Sequence, residues 1–268
     1  MSILSERDGP VAIITINRPK ARNAVDPETA AALYDAFCDA ERDDAVLASV
    51  LTGAEGAFCS GADLKRVATA SGPPPKKHPQ QAPMGPTRLL ADRDAPDPFM
   101  SLSKPLIAAI EGHAVAGGLE LALMADIRVA SETAVFGVYC RRWGVPLIDG
   151  GTVRLPRIVG QGRALEIILT GRKLPAEECL RIGLCEYVTP KGGARDKAEA
   201  LAQEIARFPQ VCVRADRRSA IKSHGLGVRD ALIQEWYNGR EALVKDGVAG
   251  ASRFKDGLGR HGDFEKIR

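Results

Sequence analysis

Ile110-Glu-Gly-His-Ala-Val-Ala-Gly-Gly-Leu-Glu-Leu-Ala-Leu-Met-Ala-Asp126 runs from an apolar strand, through a cluster of small residues, into an apolar helix. Where a strand turns into a helix, the first helical N–H groups have no intrahelical partner. Together with the positive end of the helix dipole, they favour a negative charge or an oxyanion. Gly117 has no side chain, so a ligand oxygen can approach its N–H closely. Glu120 is the only charged residue between Glu111 and Asp126. It reads either as a charge favoured at a helix start or as a group that carries chemistry. The turn itself reads equally as plain packing.

Outward from this stretch the chain alternates strands and helices. On its N-terminal side, Pro10–Ile16 is a β-branched run that predicts a buried strand. Asn17–Asn23 is a basic loop broken by Pro19. Asp26 is positioned to cap a helix with Pro27 at its first position, running to about Arg42 with Ala30, Leu33, Phe37 and Ala40 on one face. Ala45–Thr52 is the next strand. Phe58-Cys-Ser-Gly-Ala-Asp-Leu64 is a second turn of small residues. Cys59 and Ser60 lack the glycine spacing of a nucleophile elbow and have no evident His–acid pair. Residues 71–98 are proline-rich, with a short helix expected near Thr87–Asp92, and read as a flexible lid or a surface insertion. Leu102–Ile110 is the strand that leads into the opening stretch.

On the C-terminal side, Ile127–Ala130 and Ala134–Phe136 predict short strands, and Tyr139–Thr152 a loop-rich turn. Helices follow at Val153–Val159, Arg163–Thr170 and from Pro175 to Arg181, then a strand at Gly183–Val188. From Ala194 the pattern is helical to about Phe254, with breaks at Pro209 and Gly225–Gly227. The division expected is an α/β core over residues 1–195 and a helical region over 196–268.

Composition narrows the function classes. Apolar content of 45% and charged content of 26% are those of a globular domain. With 37 basic and 34 acidic residues the net charge is +3, which gives no electrostatic case for nucleic acid or membrane surfaces. The first eight residues lack the apolar core of a signal peptide, and no run approaches the roughly 18 apolar residues of a membrane span. Cys38, Cys59, Cys140, Cys179, Cys185 and Cys212 are scattered, with no ligand spacing. They point to free thiols in a cytoplasmic protein and to no metal site.

Three stretches taken in order are more specific. Asn17-Arg-Pro-Lys-Ala-Arg-Asn-Ala24, then Leu51-Thr-Gly with Phe58–Leu64, then Ala108–Glu120, resemble the enoyl-CoA hydratase/isomerase (crotonase) family over about residues 10–190. The tail Arg253-Phe…Gly-Arg-His-Gly262 resembles one subgroup of it. The resemblance implies a crotonase-like α/β spiral of ββα units with a C-terminal helical trimerisation region. It also implies an acyl-CoA thioester substrate, no metal, no cofactor beyond the coenzyme A of the substrate, and a homotrimer or dimer of trimers.

Residue by residue, the family's oxyanion hole maps onto the backbone N–H groups of Ala62 and Gly117. Fixed donors of this kind are each worth about 2.7–4 kcal/mol to a developing enolate. Glu120 maps onto one of the two glutamates that activate water and move the α-proton in hydratases. The second glutamate position falls on Cys140, a departure, since a thiol of ordinary pKa does not replace a carboxylate. Asp149, in Leu-Ile-Asp-Gly-Gly-Thr, resembles an aspartate that shuttles protons in dienoyl-CoA isomerases; it also reads as a turn residue or the cap of the helix that follows. The family's CoA contacts correspond to Lys20, Ala21, Arg22, Ser60, Asp63 and Leu64.

The function expected is hydration of a 2-enoyl-CoA through a thioester enolate. The alternatives are an enoyl- or dienoyl-CoA isomerase using Glu120 with Asp149, and an acyl-CoA-binding protein without catalysis. RNA binding, known for one branch of the family, is disfavoured by the near-neutral charge.

Overall fold

A computed structural model describes residues 1–69, 84 and 102–262. In chain order these form β1 (Ile3–Asp8), β2 (Val11–Ile16), α1 (Pro27–Arg42), β3 (Ala48–Gly53), α2 (Leu64–Thr69), β4 (Leu106–Ile110), β5 (His113–Val115), α3 (Gly117–Met124), β6 (Ile127–Ser131) and β7 (Val135–Gly137). There follow α4 (Gly151–Val159), α5 (Gln161–Thr170), β8 (Leu174–Pro175), α6 (Ala176–Arg181), β9 (Tyr187–Thr189), α7 (Ala194–Ala206), α8 (Gln210–Lys222), α9 (Val228–Ala242) and α10 (Val248–Lys255).

The larger sheet has the order β1-β2-β3-β4-β6-β9 and is parallel except for β1. The smaller sheet, β5-β7-β8, pairs the short strands β5 and β7 in parallel and adds β8 antiparallel to β7. This is the α/β spiral of ββα turns that the resemblance implies, with helices following at the C-terminal end.

Alternation along the strands sorts the core into two faces. Ile14, Ile16, Leu51, Ala108, Ile110 and Ala130 face the main core with Leu33 and Phe37 of α1. Val11, Ile13, Val50, Ile107, Ala109 and Val129 face α7, which covers them with Ala194, Ala198, Leu201 and Ala202. Because both faces are covered, β2 reads as a continuous apolar run rather than an alternating one. Helix α1 begins as its residues dictate: Asp26 accepts the Thr29 N–H at 2.8 Å, and Pro27 stands at the first position. Its C-terminal end is closed by a buried lysine, Lys104, whose Nζ donates to the carbonyls of Ala40 and Asp43 at 2.7 Å each.

The differences from the expected elements have local causes. Strand β1 is missing from the sequence reading because it is an edge strand exposed at Ser5–Asp8, too polar to stand out. The strand expected from Leu102 starts only at Leu106, since the N–H groups of Ser103 and Lys104 donate to the Glu41 carboxylate instead of a neighbouring strand. The strand expected over Gly183–Val188 shrinks to Tyr187–Thr189, as Leu184 and Cys185 donate back to the Cys179 carbonyl and finish α6. Apart from Met84, the proline-rich stretch 71–98 and its expected short helix lie outside the described residues. Among the described residues no helix is long and apolar enough to cross a membrane.

Candidate active site

The two small-residue turns meet. Cys59 pairs with Ala114 as an isolated parallel bridge: its N–H donates to the His113 carbonyl at 2.8 Å, and its carbonyl accepts from Val115 at 3.1 Å. A second bridge joins Val25 to Ala62. The approach needs glycine. A Cβ on Gly61, whose φ is +95°, would stand 2.9 Å from both the Gly117 nitrogen and the Ala116 Cβ. One on Gly118 would stand 2.0 Å from the Cys59 carbonyl oxygen. Ala116 carries the strain of the junction: it takes φ +55° although it has a side chain, a conformation that costs about 1 kcal/mol or more.

Gly117 opens α3, so its N–H has no acceptor within the helix. The Val25 bridge is made by the Val25 and Asp63 N–H groups, not by that of Ala62. Neither the Ala62 nor the Gly117 N–H donates to an acceptor among the described residues. The two amides expected to form an oxyanion hole therefore lie on abutting turns, and no described residue accepts from either.

Glu120 lies one turn into α3 and is 2% exposed. Its Oε1 accepts the N–H groups of Asp149 at 2.9 Å and Gly151 at 2.8 Å, while Oε2 makes no hydrogen bond among the described residues. Burial, and after it the charge of Asp149, push its pKa up to about 7, against the two amide bonds and Arg154, which pull it down. A carboxyl that titrates near neutrality can both take and give a proton, as acid–base catalysis requires.

Asp149 is buried beside it, 4% exposed. It does not cap α4: the cap position is Gly150, with no side-chain bond, and the Glu120 carboxylate takes the Gly151 N–H from across the site. The Asp149 Oδ1 instead accepts the N–H of Met84 at 3.2 Å. Cys140, in the 3-10 turn Tyr139–Trp143, is a buried thiol. Burial first, and then the Glu120 charge, push its pKa up, so it stays protonated. Burial also pushes the Cys59 thiol up to about 12, which removes it as a nucleophile.

The early loop forms the rim of these turns. Lys20 and Ala21 lie in the 3-10 turn Pro19–Ala21, and Arg22 takes a left-handed conformation. The Ser60 N–H donates to the Arg22 carbonyl at 3.1 Å, and the Ser60 Oγ to the Ala21 carbonyl at 3.4 Å. Arg18 ties Asp63 to Asp26, at 3.1 and 2.9 Å. Lys20, Arg22 and Leu64 are exposed. All six positions expected to meet CoA thus share one edge, although Asp63 is already held in an ion pair.

Three residues that matter here were not singled out in the sequence. Asn23 is buried and braces the loop, donating to the carbonyls of Ala54 at 2.9 Å and Ala57 at 2.6 Å and accepting from the Arg18 N–H. Met84 is fully buried, with its sulfur 2.6 Å from where a Cβ on Gly117 would sit. Arg154 donates from Nη1 to the Asp149 carbonyl at 3.0 Å. Nothing in the sequence separates that arginine from solvated ones.

An α/β spiral whose two small-residue turns abut beside a buried carboxyl defines the class as a crotonase-fold enzyme. The chain belongs to the enoyl-CoA hydratase/isomerase family, whose model matches residues 6–224. It is similar to enoyl-CoA hydratase EchA19 of Mycobacterium tuberculosis, 40% identical over 91% of this chain and 89% of that protein. It is also similar to the (E)-benzylidenesuccinyl-CoA hydratase of Thauera aromatica, 38% identical over 87% of each. Among solved structures it resembles enoyl-CoA hydratase EchA1 from Mycobacterium marinum, with a TM-score of 0.84 and 34% identity over 95% of this chain and 96% of that one.

Proposed function

We propose that this enzyme hydrates a 2-enoyl-CoA. The observation that carries the reading is Glu120: a buried carboxyl poised near neutral pH, one turn from the Gly117 amide. The Ala62 and Gly117 N–H groups receive the thioester oxygen. Ionised Glu120 takes a proton from water as its oxygen bonds to the β-carbon, and charge moves onto the thioester oxygen as an enolate. The enolate collapses as the α-carbon takes the proton from Glu120. Water has then been added across the double bond, and the carboxylate is restored. Since Cys140 stays a neutral thiol, one carboxyl serves both steps.

A second reading, double-bond isomerisation, draws on Asp149, a buried carboxylate close enough to raise the Glu120 pKa. The two could relay a proton between carbons of the chain. A third is acyl-CoA binding without turnover. In all three, Lys20, Ala21, Arg22, Ser60, Asp63 and Leu64 border the CoA. No metal or separate cofactor is required, and the near-neutral charge gives no reason for a nucleic-acid partner. A cytoplasmic homotrimer, or a dimer of trimers, fits the exposed apolar residues of α9 and α10, which include Leu232, Trp236 and Val248.

Incubation with crotonyl-CoA and longer trans-2-enoyl-CoAs separates these readings. Loss of the conjugated-thioester absorbance with formation of 3-hydroxyacyl-CoA is expected. A shifted double bond without added water would replace hydration by isomerisation. Calorimetric binding with no turnover of any substrate would leave only the binding protein.

A further inference from the structure

Glu120 is held from one side of a tripeptide, and an arginine holds the same tripeptide from the other. Oε1 of Glu120 accepts the N–H groups of Asp149 and Gly151, the two amides that flank Gly150. Arg154, one turn into α4, reaches back so that its Nη1 donates to the Asp149 carbonyl. Its guanidinium fills the space over the Gly150 α-carbon: a Cβ there would stand 2.1 Å from Nη1 and 2.9 Å from Cζ. Gly150 has φ +97°, so the open space and the turn both depend on that glycine.

We propose that Arg154 is a positioning residue for Glu120, clamping the Asp149-Gly150-Gly151 amide fork that the Glu120 carboxyl accepts and setting its guanidinium beside the two buried carboxyls. The proposal rests on Glu120 being the group that moves protons. Arg154 acts through the loop and its charge, and touches no reacting atom.

The charges around Glu120 make this cation matter. Helix α3 bears no other charged side chain. From the approach to α4 comes the Asp149 carboxylate, which raises the Glu120 pKa, and from the 3-10 turn comes the neutral Cys140 thiol. Arg154 opposes both the burial and Asp149, and is itself drawn by both carboxylates against the repulsion of Arg157, one turn further along α4. Arg141 acts on the neighbouring Cys140 thiol, so Arg154 is the cation that acts on the two carboxyls directly; without it they repel each other with less opposition, a setting that favours protonation of one of them.

The test compares Arg154→Gln and Arg154→Lys with the unaltered enzyme. Two readouts are used: turnover of crotonyl-CoA, or of whichever enoyl-CoA the enzyme accepts, and carbon NMR titration of the Glu120 carboxyl, assigned by its loss in Glu120→Gln. For Arg154→Gln the Glu120 midpoint should rise by roughly one unit, as loss of a nearby opposite charge implies. The kcat should fall about 100-fold, the scale of a misplaced catalytic group, with KM within about twofold. Arg154→Lys should return the midpoint most of the way and kcat only in part, since an ammonium carries the charge but not the planar fork.

An unmoved Glu120 midpoint in Arg154→Gln overturns the proposal, whatever happens to kcat. Should Arg154→Gln not fold, Arg154→Lys decides: lowered kcat with unchanged KM supports the positioning role, and wild-type kcat overturns it. The titration needs no turnover, so failure of the hydratase reading alone would leave the midpoint shift intact.

Discussion

At the scale of single residues, Glu120 sets function against stability. Its carboxyl keeps its proton to about pH 7 in the folded chain, against 4.5 for the free side chain. Between those values the folded state binds more protons than the unfolded one. Stability therefore falls as pH rises through that window, by up to about 3 kcal/mol. Gln at this position keeps an oxygen to accept the two amides and never ionises. Glu120→Gln should lower kcat by about 100–10,000-fold. In thermal unfolding it should be more stable than the parent at about pH 8, with the gap closing at about pH 5. An equal gap at both values would mean that the carboxyl is not titrating in this window. The residue was legible beforehand as the lone charge in an apolar helix. Its neutral-range pKa was not, because it comes first from burial that only the fold supplies, and then from Asp149, 29 positions away in sequence.

At the scale of elements, the turn into α3 depends on two adjacent glycines for different reasons. A Cβ on Gly118 meets a backbone carbonyl at 2.0 Å, and backbone cannot step aside. Gly118→Ala should cost about 1–3 kcal/mol or more and lower the denaturation midpoint. The atoms nearest a Cβ on Gly117 belong instead to the Met84 side chain, which is flexible. Gly117→Ala should stay within about 1 kcal/mol of the parent stability while kcat/KM falls at least about tenfold, because Met84 is displaced beside the amide proposed to receive the thioester oxygen. Equal stability losses in the two variants would contradict the assignment. The start of α1 is simpler. Asp26→Ala should cost about 1 kcal/mol in urea unfolding, through loss of the Thr29 cap. It also removes one of the two carboxylates that hold Arg18.

At the scale of the molecule, the described chain exposes two apolar tracts. One follows α9, the linking turn Leu243–Gly247 and α10, through Val228, Leu232, Trp236, Tyr237, Val244 and Val248; the other comprises Trp143, Ile148, Val153, Leu165 and Leu169. A ring of three like subunits needs two different patches that fit each other, whereas a two-fold dimer needs one that fits itself. Trp236→Glu with Val244→Glu should reduce the mass seen by light scattering to that of one chain; an unchanged mass would exclude this face from the assembly.

Apart from the edge strand β1 and the short elements α2, β5 and β8, the order of strands and helices could be read from residue types alone, as could the cap of α1, the small-residue turns and the carboxyl in α3. Each depends on residue types within a few positions of one another, and on the periods of strand and helix. Packing, in contrast, sets how distant parts of the chain combine. It set the Ala62 turn against the Gly117 turn, gave the Glu120 carboxylate to the amides of residues 149 and 151, turned Asp149 to the Met84 amide, and laid Arg154 over Gly150. Hydrogen bonds and charges act through space, so a local pattern names the groups while packing decides which of them meet.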